Sequence, residues 1–464
     1  MNAFFEAIGD ALYSIIVPPT DNIFELIGAR MTLVVGILFV LMYSYQFFYA
    51  IFGFFKKPKS YPATDQSKRY AVVISARNEE LVLPHLIQSI KAQTYPADKI
   101  TIYVIADNCT DRTAEVVREL GAVVLERQDK EKIGKGYALE FLFNHISANG
   151  SVRDHDAYII MDADNLMRPN YIEEMDKAYC AGNRILCSYR NSKNYDGSWV
   201  SAGYSLWFMR DSRLLNHPRT VLGASACATG TGFLIDSEII ERNGGWKHFL
   251  LTEDVEFTVD SLMQGERVGY CHNAEFFDEQ PEKFGQSWRQ RKRWAKGYFQ
   301  VVAHYAKPLA KHIFKGSWSL YDITMNYLPA LLLSSLQIVA MAVLLALNGI
   351  FCQTFSLTLL FGLLSFLVGS YFLFFFMGLL TIIAEWKHIY CKKWKAILHL
   401  FTFPIFMLSY LPIAVVALFT KVEWKPIAHK HVLSTNDVAG DTTAPAEGEQ
   451  VTVPAAEGES TPEQ

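Results

Sequence analysis

Hydrophobic positions fall into two patterns along the chain: long uncharged runs near the ends, and short runs alternating with polar stretches between them. Residues 31–55 carry no charge, and about 20 apolar residues suffice to cross a hydrocarbon core. Lys56, Lys57 and Lys59 follow at once, which places that end in the cytosol. Residues 323–384 are again uncharged. They predict two spans, 323–349 and 355–384, parted near Asn348, Gly349 and Gln353. A further apolar run, 396–420, contains Pro404 and Pro412. It reads either as a crossing or as a kinked re-entrant segment. The basic stretch before it, EWKHIYCKKWK, belongs to the cytosol.

Residues 60–284 show the second pattern. Residues 70–75, 100–106, 122–126 and 157–161 are short β-rich runs. Residues 80–92, 111–120 and 135–145 have helical spacing, the second opening on Asp111 as a capping residue. Strand–helix alternation predicts an α/β domain with a mostly parallel sheet and helices on both faces. Ligands bind such sheets at the carboxyl ends of the strands. The predicted strands run there into Arg77-Asn78-Glu79, into Asp107-Asn108 and into Asp162-Ala163-Asp164-Asn165. Any one of these is an ordinary turn; together on one rim they mark a site.

Composition narrows the class. The chain has 464 residues and a net charge of −4, so it lacks the basic domain of a nucleic-acid binder. Its seven cysteines include no CxxC pair, which argues against a zinc or disulfide framework. Residues 434–464 lack the apolar content to fold and are expected to be disordered. Residues 1–30 are expected to lie at the membrane interface. One local feature departs from the acidic average. QSWRQRKRWAKGYFQ, residues 286–300, gathers Arg289, Arg291, Lys292, Arg293 and Lys296 around Trp288 and Trp294.

Three segments carry candidate chemistry. Asp162 and Asp164 are two apart, so on an extended strand end they point the same way. Paired carboxylates suit Mg²⁺ or Mn²⁺ held together with substrate phosphates; the alternative is a solvated turn. Asp254, in LTEDVEF, is set among apolar residues and reads as a helix cap or as a general base whose pKa desolvation raises. If 286–300 is helical, Gln290, Arg293 and Trp294 share a face. Arg293 can then take a pyrophosphate, and Trp294 offers a flat surface to a sugar ring. The remaining cations suit lipid headgroups, and residues 285–318 are expected to form interfacial helices.

The ordered set DN, DxD, TED and QxxRW, between one N-terminal span and several C-terminal ones, resembles the membrane-integrated family-2 glycosyltransferases. Cellulose, chitin, hyaluronan and poly-N-acetylglucosamine synthases belong to that group. The resemblance covers roughly residues 60–300. It implies a GT-A type fold and a cytosolic catalytic domain on a multi-pass protein of the cell membrane. By the same resemblance Arg77, Asn78, Glu79, Asp107, Lys135 and Asp162 contact the nucleotide sugar. Asp164, with Asp162, holds Mg²⁺ or Mn²⁺, and Asp254 is the base. Gln290, Arg293 and Trp294 face the acceptor and diphosphate. Residues 228–235 match the loop behind the acceptor site, and VEWKPIAH matches a cytosolic motif near it. The expected reaction is inverting transfer from a UDP-sugar, UDP-GlcNAc or UDP-glucose, to a growing β-linked polysaccharide, with accessory export proteins as further partners. Two alternatives stay open: a single transfer to a lipid acceptor, and a non-catalytic membrane scaffold or transporter.

Overall fold

The computed structural model describes residues 20–327 and 329–422. The expected tail at 434–464, the first nineteen residues and all of VEWKPIAH but Val422 lie outside them.

An eight-stranded sheet forms the core of the water-facing part. Its strands are β1 (Tyr70–Ala76), β2 (Ile100–Asp107), β3 (Val123–Arg127), β4 (Ala157–Asp162), β5 (Leu166–Met167), β6 (Ile185–Ser192), β7 (Phe233–Asp236) and β8 (Val268–Asp278). Their spatial order is β3-β2-β1-β4-β7-β6-β8-β5. One half, β3-β2-β1-β4, is wholly parallel. The other half is mixed: β7 runs antiparallel to β4 and β6, β6 and β8 are parallel, and β5 is antiparallel to β8.

Side chains alternate across the pleat. Tyr70, Val72 and Ile74 pack against Leu83, Leu86 and Ile90 of the helix Leu83–Lys91. Ala71 and Val73 pack on the opposite face against Leu139, Leu142 and Phe143 of the helix Lys135–Asn149. Covering both faces explains why β1 and β4 read as continuous apolar runs.

Among the described residues four helical segments are long and apolar enough to cross a membrane: Ile23–Phe55, Pro329–Phe351, Leu357–Ala384 and Lys393–Phe419. Two boundaries differ from expectation. The helix that carries the first span starts at Ile23, where the Asn22 side chain accepts from Phe24 N at 3.0 Å, eight residues before the expected start of the span. The second candidate span is described as Pro329–Phe351 rather than 323–349, with the helix Trp318–Tyr327 preceding it. The last segment breaks at Ser409 into Lys393–Leu408 and Tyr410–Phe419; Pro412 there lacks the N–H that would bond back to residue 408.

The sheet domain is tied to these helices by buried polar contacts. Arg219 donates Nε and Nη2 to the two carboxylate oxygens of Asp322, each at 2.8 Å, and Tyr45 Oη of the first span donates to Asp322 at 3.0 Å. Beyond the third span, Glu385 accepts from Tyr189 Oη at 2.6 Å.

Candidate active site

Strand register assembles the rim. Ala76 pairs with Ala106, so Arg77 and Asp107 emerge side by side, and Ser75 pairs with Asp162. These residues open onto one cleft of about 920 Å³. Arg77, Glu79, Asp107, Lys135, Asp162, Asp164, Asp254, Gln290, Arg293 and Trp294 all line it. Of the expected site residues, Asn78 alone does not line the cleft. It takes a left-handed backbone, φ +59°. Its carboxamide oxygen accepts from Thr110 N at 2.7 Å and its amide donates to Thr110 Oγ1 at 3.1 Å. Asn78 therefore helps to shape the loop that follows β1, through its bonds to Thr110.

Asp107 is 4% exposed. It faces Arg127 across the parallel β2–β3 register and accepts from Arg127 Nη1 at 2.6 Å. Burial still pushes its carboxyl up, outweighing that cation. Gly134, at φ +139°, starts the Lys135–Asn149 helix in a backbone conformation that suits glycine. Lys135 then reaches inward, pairs with Asp162 and donates to the Gly230 carbonyl at 2.7 Å. Gly230 belongs to the loop 228–235, whose Thr229 also lines the cleft.

The DADN turn joins the two halves of the sheet. Asn165 is fully buried. Its carboxamide oxygen accepts from Asp162 N at 3.0 Å, and its amide donates to Asp278 at the end of β8 at 2.9 Å. Asp278 is gripped by Arg190 and by Gln280 Nε2, the latter at 2.8 Å. Those cationic and amide donors, Arg190 above all, hold its carboxyl below the usual range despite burial. Asp164, 5% exposed, interacts with the Asp278 carboxylate. Asp164 and Asp278 come together in a buried pocket and Asp162 lines the same cleft; carboxylate oxygens are the ligands that a hard divalent cation takes. The residues present thus fit the metal that the sequence pattern implied.

Asp254 stands in the first turn of the helix Glu253–Met263. Burial pushes its carboxyl up, more than the backbone N–H donors at Val255 and Gly230 and the nearby Lys135 ammonium pull it down. Glu253 is pushed up by burial and by the Asp254 charge. The loop that carries them is seated by the helix Phe284–Phe314, which presents QxxRW. A Cβ on Gly297 of that helix would lie 2.5 Å from Thr252 Cγ2 and 2.9 Å from Thr252 N. Arg293 Nη1 donates to the Leu251 carbonyl at 3.2 Å. Trp294 is backed by Tyr204, Trp207 and Phe208, with ring centroids 5.8, 6.1 and 6.4 Å away.

The cations of 286–300 divide three ways. Arg289, Lys292 and Arg293 line the cleft, so the first two are not simply a headgroup fringe as expected. Lys296 Nζ reaches the Leu418 carbonyl at 3.4 Å. Arg291 turns away from the cleft: fully buried, it donates Nη1 to the Phe406 carbonyl and to Ser409 Oγ, both at 2.9 Å, at the break of the last segment.

Sequence reasoning missed Arg190, Trp207, Phe208, Asp211 and Asp278, all of which line the cleft. One signal was available: the run ending at Asp278 is a strand that closes on Asp-Glu-Gln, the same rim signature read at the other strand ends. Nothing comparable marks Trp207 or Phe208, which lie in an apolar helix, Trp199–Arg210.

Comparison with known proteins agrees with this geometry. Residues 68–297 match the family model described as glycosyltransferase like family 2. Similar curated proteins include a probable glycosyltransferase, YdaM, of Bacillus subtilis (27% identical; 50% of this chain, 56% of the relative). A beta-monoglucosyldiacylglycerol synthase of Nostoc is 24% identical (59% of this chain, 60% of the relative). A poly-beta-1,6-N-acetyl-D-glucosamine synthase of Staphylococcus aureus is also 24% identical (51% of this chain, 56% of the relative). The chain thus spans somewhat over half the length of these relatives. Among solved structures, a mannosyltransferase of Pyrobaculum calidifontis in complex with GDP-Man and Mn²⁺ superposes with a TM-score of 0.51 at 17% identity, covering 83% of this chain and 98% of that one. That likeness establishes the GT-A-like fold. Residues 68–297 are a family 2 glycosyltransferase domain, carried by a chain with four helices able to cross a membrane.

Proposed function

We propose that the protein transfers a sugar, with inversion, from a UDP-sugar to an acceptor presented at the membrane. The observation that carries this reading is the convergence of Asp162, Asp164, Asp254 and Arg293 on one cleft whose far wall ends at Lys421 and Val422, directly after the last apolar helix. Asp254 accepts the proton of the acceptor hydroxyl as that oxygen attacks the anomeric carbon. Its raised pKa makes it a stronger base than a solvated aspartate. Arg293 and Lys135 stand where negative charge grows on the departing diphosphate. Asp164 and Asp162 would hold the divalent ion, Mg²⁺ or Mn²⁺, which when bound neutralises that same charge. One base and one displacement turn an α-linked donor into a β-linked product. Trp294, walled by three other rings, offers its face to the sugar.

A single transfer to a lipid is the better-supported form of the reaction. Among the described residues the cleft shares no lining residue with the apolar groove of about 670 Å³ between the first and later spans. A path for a growing polymer would have to pass the packed rings behind Trp294. Likeness to the glucosyldiacylglycerol synthases favours the same form; likeness to the poly-N-acetylglucosamine synthase supports the polymer as the second reading. The test is UDP release from a panel of UDP-sugars by purified protein in nanodiscs, with the product sized in the same tube. A lipid-sized product supports single transfer. A long, glycosidase-sensitive product replaces it with the polymer, and no release from any donor overturns the reading.

A further inference from the structure

The cleft has two electrostatic halves. At the strand ends Lys135 is engaged with Asp162 and Arg190 with Asp278, and on the helix Arg293 is engaged with the Leu251 carbonyl. The opposite wall holds Lys283, Arg289, Lys292 and Lys421. Among the described residues none of these four makes a side-chain hydrogen bond, an ion pair or a ring contact.

The donor does not account for them. The two negative charges of a sugar diphosphate would be met by Lys135, by Arg293 and by a divalent ion that Asp162 and Asp164 would hold. That set is neutral: minus two from the aspartates and minus two from the diphosphate, against plus two from the ion and plus one from each side chain. Lys283, Arg289, Lys292 and Lys421 remain, in a cleft whose lining also includes Glu279 and Glu282. Lys421 follows the last apolar helix by two residues. Arg289, Lys292 and Lys283 belong to the start of the QxxRW helix or to its cap. Gln290, between Arg289 and Lys292, has a buried side-chain oxygen without a donor, and an acceptor hydroxyl can supply one.

We infer that the acceptor carries a phosphate, and that the wall of Arg289, Lys292 and Lys421 binds this phosphate while the acceptor hydroxyl points to Asp254. This deepens the reading above and rests on it. The phosphate comes from a lipid headgroup, given the wall's place at the membrane; a water-soluble phosphate ester is the other source of the same chemistry.

The experiment has a binding arm and a transfer arm. In the first, full-length protein in detergent is examined by native mass spectrometry with phosphatidylglycerol, diacylglycerol or glycerol phosphate. Wild type is compared with the triple variant Arg289→Gln, Lys292→Gln, Lys421→Gln. Retention of phosphatidylglycerol that falls at least tenfold in the variant, with UDP binding unchanged, supports the inference. Equal retention by both proteins, or preference for diacylglycerol, overturns it. Preference for glycerol phosphate over the lipid keeps the phosphate and overturns the lipid source. In the second arm, the same acceptors are offered with the UDP-sugar panel. Transfer to neutral lipid at an unchanged rate in the triple variant overturns the inference while leaving the glycosyltransferase reading intact. Phosphate-dependent binding without transfer from any donor does the reverse. Binding should also weaken with salt, because exposed charges are screened within about 10 Å at 0.1 M.

Discussion

The two walls of the cleft are built in opposite ways. The strand-end wall fixes its charges against one another: Asp107 to Arg127, Asp162 to Lys135, Asp278 to Arg190. Among the described residues the helical wall leaves Arg289 and Lys292 without partners, and it surrounds Trp294 with rings. Pairing holds a constellation in place before substrate arrives, as charge stabilisation in a transition state requires. Unpaired cations and an aromatic face suit a ligand that must come and go. The difference suggests that the donor end works by preorganisation and the acceptor end by attraction.

Substitutions on the two walls should therefore separate in kinetics. The largest effect is expected for Asp254→Asn: about 10²–10⁴-fold loss of kcat, the usual worth of a positioned base, with donor Kd nearly unchanged by titration calorimetry. Activity near wild type would remove Asp254 from the mechanism. Arg293→Gln should cost about 10²–10³-fold in kcat, as for a lost charge-stabilising donor. Trp294→Ala should instead raise the acceptor KM while sparing donor affinity; equal loss of both would erase the contrast between the walls.

A smaller effect tests how the walls are joined. Gly297→Ala drives a methyl into Thr252. Overpacking of this kind costs about 1–3 kcal/mol, and a thermal melt should register it together with reduced kcat. The smallest change is a shift along the pH axis. Asp254 must be ionised to act, and its pKa is raised by burial. The rate should fall as pH drops through a value above the ordinary aspartate range of about 3.9.

Much of the strand-end wall was legible in the sequence, because β1, β2 and β4 are buried on both faces and their apolar runs stop where the polar rim begins. Period and punctuation together located Arg77, Asp107, Asp162 and Asp164. Asn78 stands apart from the residues that line the cleft: its left-handed backbone and its bonds to Thr110 belong to the fold of the loop, which local spacing did not register. The helical wall was legible only where QxxRW has a helical period. Helical spacing brought Gln290, Arg293 and Trp294 together. It did not show that Arg291, at the adjacent position, is buried against Phe406 and Ser409, since that depends on a segment more than a hundred residues away. Trp207 and Phe208 were silent for the same reason: an apolar helix packed inside a protein looks the same whether or not one of its edges meets a cleft.

The most direct test of the central claim is the anomeric configuration of the product, read by NMR after transfer from a UDP-sugar of known α-linkage. A β-linked product is the result that one displacement with Asp254 as base predicts. An α-linked product would require a different mechanism, and the assignment of roles in this cleft would fall with it.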